Sequence, residues 1–243
     1  MKKILLLICA LPLLCRCQGS SAPADTATAT EATAAQATQA PGERIATLSE
    51  EVRMLMEQYD AEHKPELLEQ AMSINDSIEQ LDTTQQGRFN TAFTRAQLLA
   101  KSGHMREAML IQERLLSSNP NDFVRLQFYA GKYRMEGKTD SMHIFADRAL
   151  AQCDIILADT TLSAEEIDQA LMNKINIYQI VDNRAKAKET NDKLAARHLD
   201  DPDYQLTDAE FNEEFNAART ALNQSAEAYR NDVKKNPTPA AKQ

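Results

Sequence analysis

Tryptophan is absent from the 243 residues, only 6 are glycine, and aromatics make up 5%. With so few glycines, and with no run in which apolar and polar residues alternate, a chain built from strands and tight hairpins is excluded. The lack of tryptophan and the scarcity of other rings argue against a sugar-binding surface, which needs aromatic platforms. Cysteine is equally sparse: of four, Cys9, Cys15 and Cys17 crowd the N-terminus and only Cys153 lies in the body. One body thiol makes no internal disulfide, so core packing alone must hold the fold. Cys153 sits among Ala149, Leu150, Ile155 and Ile156, a setting for a small buried hydrophobe rather than a nucleophile.

Positive charge is also in deficit. Taking Lys2, Lys3 and Arg16 from the 27 basic residues leaves 24 against 36 acidic ones, so the remaining chain carries about −12. No basic patch with interleaved aromatics occurs, which excludes nucleic acid as the expected partner. An acidic body is not drawn to an anionic bilayer, so membrane attachment would have to come from a lipid anchor alone.

The first residues supply that possibility. Met1-Lys2-Lys3 precedes an apolar run from Ile4 to Leu14, which is shorter than the about 20 residues a membrane-spanning helix needs. Length and flanks fit a secretory signal over residues 1–17. Leu14-Cys15-Arg16-Cys17 resembles a bacterial lipobox with Cys17 as the acylated residue, although Arg16 replaces the usual small residue. The expected location is therefore the periplasm-facing outer membrane, as a lipoprotein. A soluble periplasmic or secreted form, cut near Ala22-Pro23-Ala24, is the alternative. Residues 18–43 are mostly alanine and threonine with no apolar side chain larger than alanine, so they read as a disordered linker. Residues 236–243 read as a disordered tail.

From residue 44 to 235 the pattern is helix after helix, giving an all-α domain. Capping boxes are expected at Thr47/Glu50, Thr83/Gln86, Ser163/Glu166 and Thr207/Glu210, with stops near Gly103, Asn119-Pro120, Gly137 and Asp201-Pro202. A period of 34 links Gly103 to Gly137. Each glycine follows a small residue by seven positions (Ala96, Ala130) and a larger one by four (Leu99, Tyr133). Each precedes another apolar residue by twelve (Leu115, Ala149). Small residues let two helices cross closely, and the larger ones wedge between neighbouring pairs. After Thr207, Phe211, Phe215, Ala218, Leu222, Ala226 and Tyr229 recur every three or four residues, so one helix there has a single apolar face. That face either caps the last hairpin or joins two copies of the chain; a monomer is favoured.

These positions resemble the tetratricopeptide repeat. Residues 89–122 match through Ala96, Leu99, Gly103, Ala108 and Pro120, and residues 123–156 through Leu126, Tyr129, Ala130, Tyr133, Gly137 and Ala149. Arg95, Gln112 and Met142 depart from the pattern. Residues 52–84, with Ala71 and Ile78, and residues 168–202, with Tyr178, Ala187, Leu194 and Pro202, look like degenerate units. The resemblance implies a short α-solenoid of helical hairpins with a C-terminal capping helix. It also implies a concave groove lined by the first helix of each hairpin. The groove positions fall at Asn90, Phe93, Gln97 and Lys101, at Gln127, Arg134 and Met135, and at Asn176 and Gln179. Amides recur in this row and can pair with both donors and acceptors of an extended peptide.

No catalytic constellation emerges. His63, His104, His143 and His198 share no metal-ligand spacing, and Asp200-Asp201-Pro202-Asp203 lacks the glycine and terminal glutamate of a calcium loop. Neighbouring pairs such as Glu213/Glu214 point about 100° apart on a helix and cannot share acid–base work. Neither a phosphate loop nor a metal or cofactor motif occurs. Five tripeptides, Asp25-Thr26-Ala27, Asp76-Ser77-Ile78, Asp82-Thr83-Thr84, Asp140-Ser141-Met142 and Asp159-Thr160-Thr161, resemble an O-glycosylation signal of some Gram-negative anaerobes. Thr26, in the linker, is the best placed. The expected role is a non-enzymatic scaffold or adaptor of the cell envelope that holds a protein or peptide. The alternatives are an outer-membrane assembly factor and a glycan-uptake accessory lipoprotein.

Overall fold

The structure, a computed structural model, describes residues 40–117 and 122–236. The signal, Cys17, Thr26 and the Asn119-Pro120 stop lie outside the described residues. So do the tail beyond Asn236 and all but the last residues of the linker. Among the described residues there are nine α-helices and no strand. They are α1 (Pro41–Glu62), α2 (Pro65–Leu81), α3 (Gln85–Lys101), α4 (Met105–Ser117), α5 (Asp122–Glu136), α6 (Thr139–Ala158), α7 (Ala164–Ile180), α8 (Arg184–Ala195) and α9 (Asp208–Lys235). The chain divides into two compact units, the boundary falling within the α4 sequence, with described parts 40–112 and 113–236.

Local chemistry explains the starts. Ser163 and Thr207 form full capping boxes with Glu166 and Glu210, satisfying backbone donors that the first turn leaves free. Two other starts differ from expectation. The α2–α3 cap is Thr84, whose hydroxyl accepts from Gly87 N, not Thr83. Thr47 does not start a helix: α1 begins at Pro41, and the Thr47 hydroxyl donates back to Glu43 O at 3.0 Å. Proline at the first turn sets φ for a helix at no cost in hydrogen bonds, which suits both Pro41 and Pro65.

The turns repeat more closely than the sequence does. Gly103 and Gly137 take φ of 85° and 73°. Each is followed by a residue whose N–H reaches back five positions, His104 to Leu99 O (2.8 Å) and Lys138 to Tyr133 O (2.9 Å). A third copy of this turn joins α7 to α8, where Asn183 N bonds Tyr178 O at 2.8 Å and Asp182 sits at φ 56°. Glycine marks the first two because that backbone region penalises a Cβ. Asp182, one of the few residue types that tolerate it, hid the third from the glycine pattern.

In the N-terminal unit α1 pairs with α2, and α2 packs on α3. Val52, Leu55, Leu68, Ala71, Ile78 and Leu98 form its core, and Ala96, Leu99 and Ala108 join α3 to α4. In the C-terminal unit α5 pairs with α6 and α7 with α8, and α6 packs on α7. Ala130, Ala146, Ala149 and Cys153 have no exposed surface, so small side chains occupy the middle of this core. Phe123, Leu126, Met142, Ile177 and Ile180 fill the space around them.

Helix α9 takes a position that the sequence does not foretell. Phe211 and Phe215 sit against Tyr178 and Ala187 of the last hairpin, as a cap would. The helix then lies on α7 and on α5 as well. Its stripe of Phe211, Phe215, Ala218, Leu222 and Ala226 is buried within the chain, which removes it as a surface for a second copy.

Candidate functional site

The residues expected to line a groove divide between the two units. On α3, Asn90 is exposed and Phe93 and Gln97 are half-buried. Asn90 accepts from Gln86 Nε2 at 2.8 Å, one turn earlier, and Gln97 makes no hydrogen bond among the described residues. Lys101 is committed within the unit: its ammonium pairs with Asp60, and its carbonyl accepts from the Tyr59 hydroxyl at 3.2 Å. These contacts fasten the ends of α1 and α3 to each other.

In the C-terminal unit Arg134 reaches the end of α7 and α9. Met135 is 4% exposed and belongs to the interior. So deeply buried a side chain cannot touch a partner. Arg134 donates to Ile180 O and, at 3.4 Å, to Gln179 O, the last carbonyls of α7, and to Asn223 Oδ1 of α9 at 3.1 Å. A cation at a helix C-terminus opposes the negative end of the dipole and satisfies carbonyls without an intrahelical donor. Burial pulls the Arg134 pKa below its ordinary value, yet arginine stays charged. Of the expected positions, Gln127, Asn176 and Gln179 are half-buried. Tyr229 of α9 reaches Glu136 at 3.4 Å.

Two clusters lie outside the expected row. Asp168, a buried carboxylate of α7, accepts from Arg197 Nε at 2.5 Å and bonds His198 Nε2 at 2.8 Å. The imidazole stacks on Tyr204 with centroids 3.9 Å apart. Gln205 Nε2 donates to Ala195 O and His198 O, each at 2.8 Å. A buried acid paired this way is costly to break, and its effect is to fix the segment that delivers α9. In the second cluster Tyr129, Tyr133 and Phe145 have centroids 5.2–6.2 Å apart. Lys132, Lys138 and Arg148 lie over the rings of Tyr129, Tyr133 and Phe145. Sequence spacing hints at the Tyr129/Tyr133 pair, one helical turn apart, but the meeting with Phe145 requires the α5–α6 hairpin.

The chemistry of the other singled-out groups is quiet. Burial pushes the Cys153 thiol up to about 12, so it carries almost no thiolate at neutral pH. Among the described residues no group of three or more His, Cys, Asp or Glu is placed to hold a metal ion. Nor is any described helix long and apolar enough to cross a membrane. Comparison of the chain with protein-family models, with curated proteins and with solved structures finds no match.

Proposed function

We propose that the chain is a non-enzymatic, tetratricopeptide-like scaffold of the bacterial envelope whose partner, a protein or extended peptide, docks on the outward face of α3. What carries this reading is one turn geometry used at Gly103, Gly137 and Asp182 to build successive helical hairpins. A first-helix row presents Asn90, Phe93 and Gln97 in the N-terminal unit. Gln97, a half-buried amide with no hydrogen bond among the described residues, is able to donate and accept along a peptide backbone. In the C-terminal unit α9 packs on α5 and α7, Arg134 bonds Asn223 of α9 and Met135 is buried. Partner contact is therefore assigned to the N-terminal unit. Export, and acylation at Cys17, would hold the scaffold at the outer membrane facing the periplasm.

Crosslinking in intact cells, followed by identification of the captured proteins, supplies the partner for the test. An Asn90→Ala/Phe93→Ala/Gln97→Ala variant should then lose it, while Gln127→Ala/Asn176→Ala keeps it. If the triple variant retains its partner with unchanged affinity, the assignment to α3 is wrong.

A further inference from the structure

Four of the five Asp-(Ser/Thr)-X tripeptides lie in described residues, and the fold presents them in two ways. Ser77 is inside α2, where its hydroxyl donates to Ser73 O at 3.1 Å. Ser141 is half-buried in the first turn of α6. Both lie within helices, Ser77 in the middle of one and Ser141 half-buried near the start of another, so neither offers an enzyme that must enclose the acceptor a free, exposed segment.

Asp82-Thr83-Thr84 and Asp159-Thr160-Thr161 behave differently. They form the α2–α3 and α6–α7 connections, one in each unit, and share one construction. Asp82 Oδ1 accepts from the Thr84 N–H at 3.1 Å and the Thr84 hydroxyl at 2.6 Å. Asp159 Oδ1 accepts from the Thr161 N–H at 2.9 Å and the Thr161 hydroxyl at 2.6 Å. The first and third residues are thereby tied to each other. The middle threonine is left exposed at the tip, its hydroxyl unbonded among the described residues. Room for the first clasp depends on Gly87, since a Cβ there would fall 2.0 Å from Asp82 Cγ.

The adjoining carboxylate restricts what could be added. A phosphate would bring about −1.5 to −2 charges beside Asp82 or Asp159 and be repelled, whereas a neutral sugar meets no such penalty. We propose that Thr83 and Thr160 are acceptors for O-linked glycosyl transfer, and that Ser77 and Ser141 are not. The threonine Oγ1 attacks the anomeric carbon of a phosphate-activated sugar. The new C–O bond forms as the bond to phosphate breaks. The hydroxyl proton passes to a base of the transferase, and the phosphate-bearing carrier leaves. The proposal rests on export of the chain but not on the docking face of α3.

The test is site-resolved mass spectrometry of the full chain isolated from its own cells, with Thr83→Val/Thr160→Val as the variant. Glycan mass should localise to Thr83 and Thr160 and be absent from Ser77 and Ser141. The double variant should lose that mass and keep its melting temperature, because neither middle side chain takes part in a clasp. Unmodified Thr83 and Thr160 in a chain that has lost residues 1–16 overturn the proposal alone. Unmodified threonines in a chain that still carries residues 1–16 overturn export and the proposal together. Phosphate at either threonine, or equal glycan on Ser77 and Ser141, also overturns it.

Discussion

Replacing Arg134 by alanine should destabilise the chain by about 2–3 kcal/mol. The guanidinium is held by Ile180 O, Gln179 O and Asn223 Oδ1. A hydrogen bond from a charged group contributes about 1.5–3 kcal/mol and a neutral-strength one about 1. The Ile180 contact belongs to the first kind, while the 3.4 Å bond to Gln179 is long enough to add little. Asn223 is exposed, so its share should be near the lower figure. Loss of the cation at the end of α7 removes a further part of roughly 0.5 kcal/mol. With a urea slope of about 2–3 kcal/mol per molar, the midpoint should fall by about 1 M. Arg134→Lys should recover less than half, because a single ammonium cannot span two carbonyls and an amide. A cycle with Asn223→Ala should show a coupling of about 0.5–1 kcal/mol. The assay is urea unfolding followed by circular dichroism. A midpoint within 0.2 M of the parent for Arg134→Ala would refute the bridging role and return Arg134 to the candidates for partner contact.

Two further outcomes follow from the titrating groups. In a chain beginning at Asp25, Cys153 is the sole thiol; it should react with a thiol reagent orders of magnitude more slowly when folded than in denaturant, and ready labelling in the native state would contradict its burial. Glu189 is bonded first by Lys186 Nζ at 2.7 Å and then by Lys193 Nζ at 3.0 Å, which together hold its pKa down to about 2 against an ordinary 4.5. A depressed carboxyl adds stability above its unfolded pKa, lost as pH falls through the folded one. Glu189 should thus remain ionised at pH 3.5 by carboxyl NMR titration in the folded chain, and Lys186→Ala should raise its midpoint.

Much of the fold is legible in the sequence. The apolar period gives the helices, and two capping boxes were found where they stand because Ser163/Glu166 and Thr207/Glu210 each solve the same local hydrogen-bond problem. Cys153 and the alanines of the repeat read as buried, and they are. Where Thr47 and Thr83 misled, a competing local choice won: Pro41 starts α1 earlier, and Asp82 takes Thr84 rather than Thr83 into the turn. The expected groove row was less legible. A helical spacing tells which residues share a face but not what that face meets.

The sequence by itself determined that the chain is helical, that helices stop at Gly103 and Gly137, and that the last one carries a single apolar stripe. These depend on interactions within about four residues, which local spacing records. Only tertiary structure decided that α9 lies along α5 and α7, that Arg134 bonds Asn223 of α9, that Met135 is buried, and that Asp168 meets Arg197 and His198. Those contacts join residues as far apart as Arg134 and Asn223. Their formation depends on how the stacked hairpins present their faces to one another, which no local period encodes.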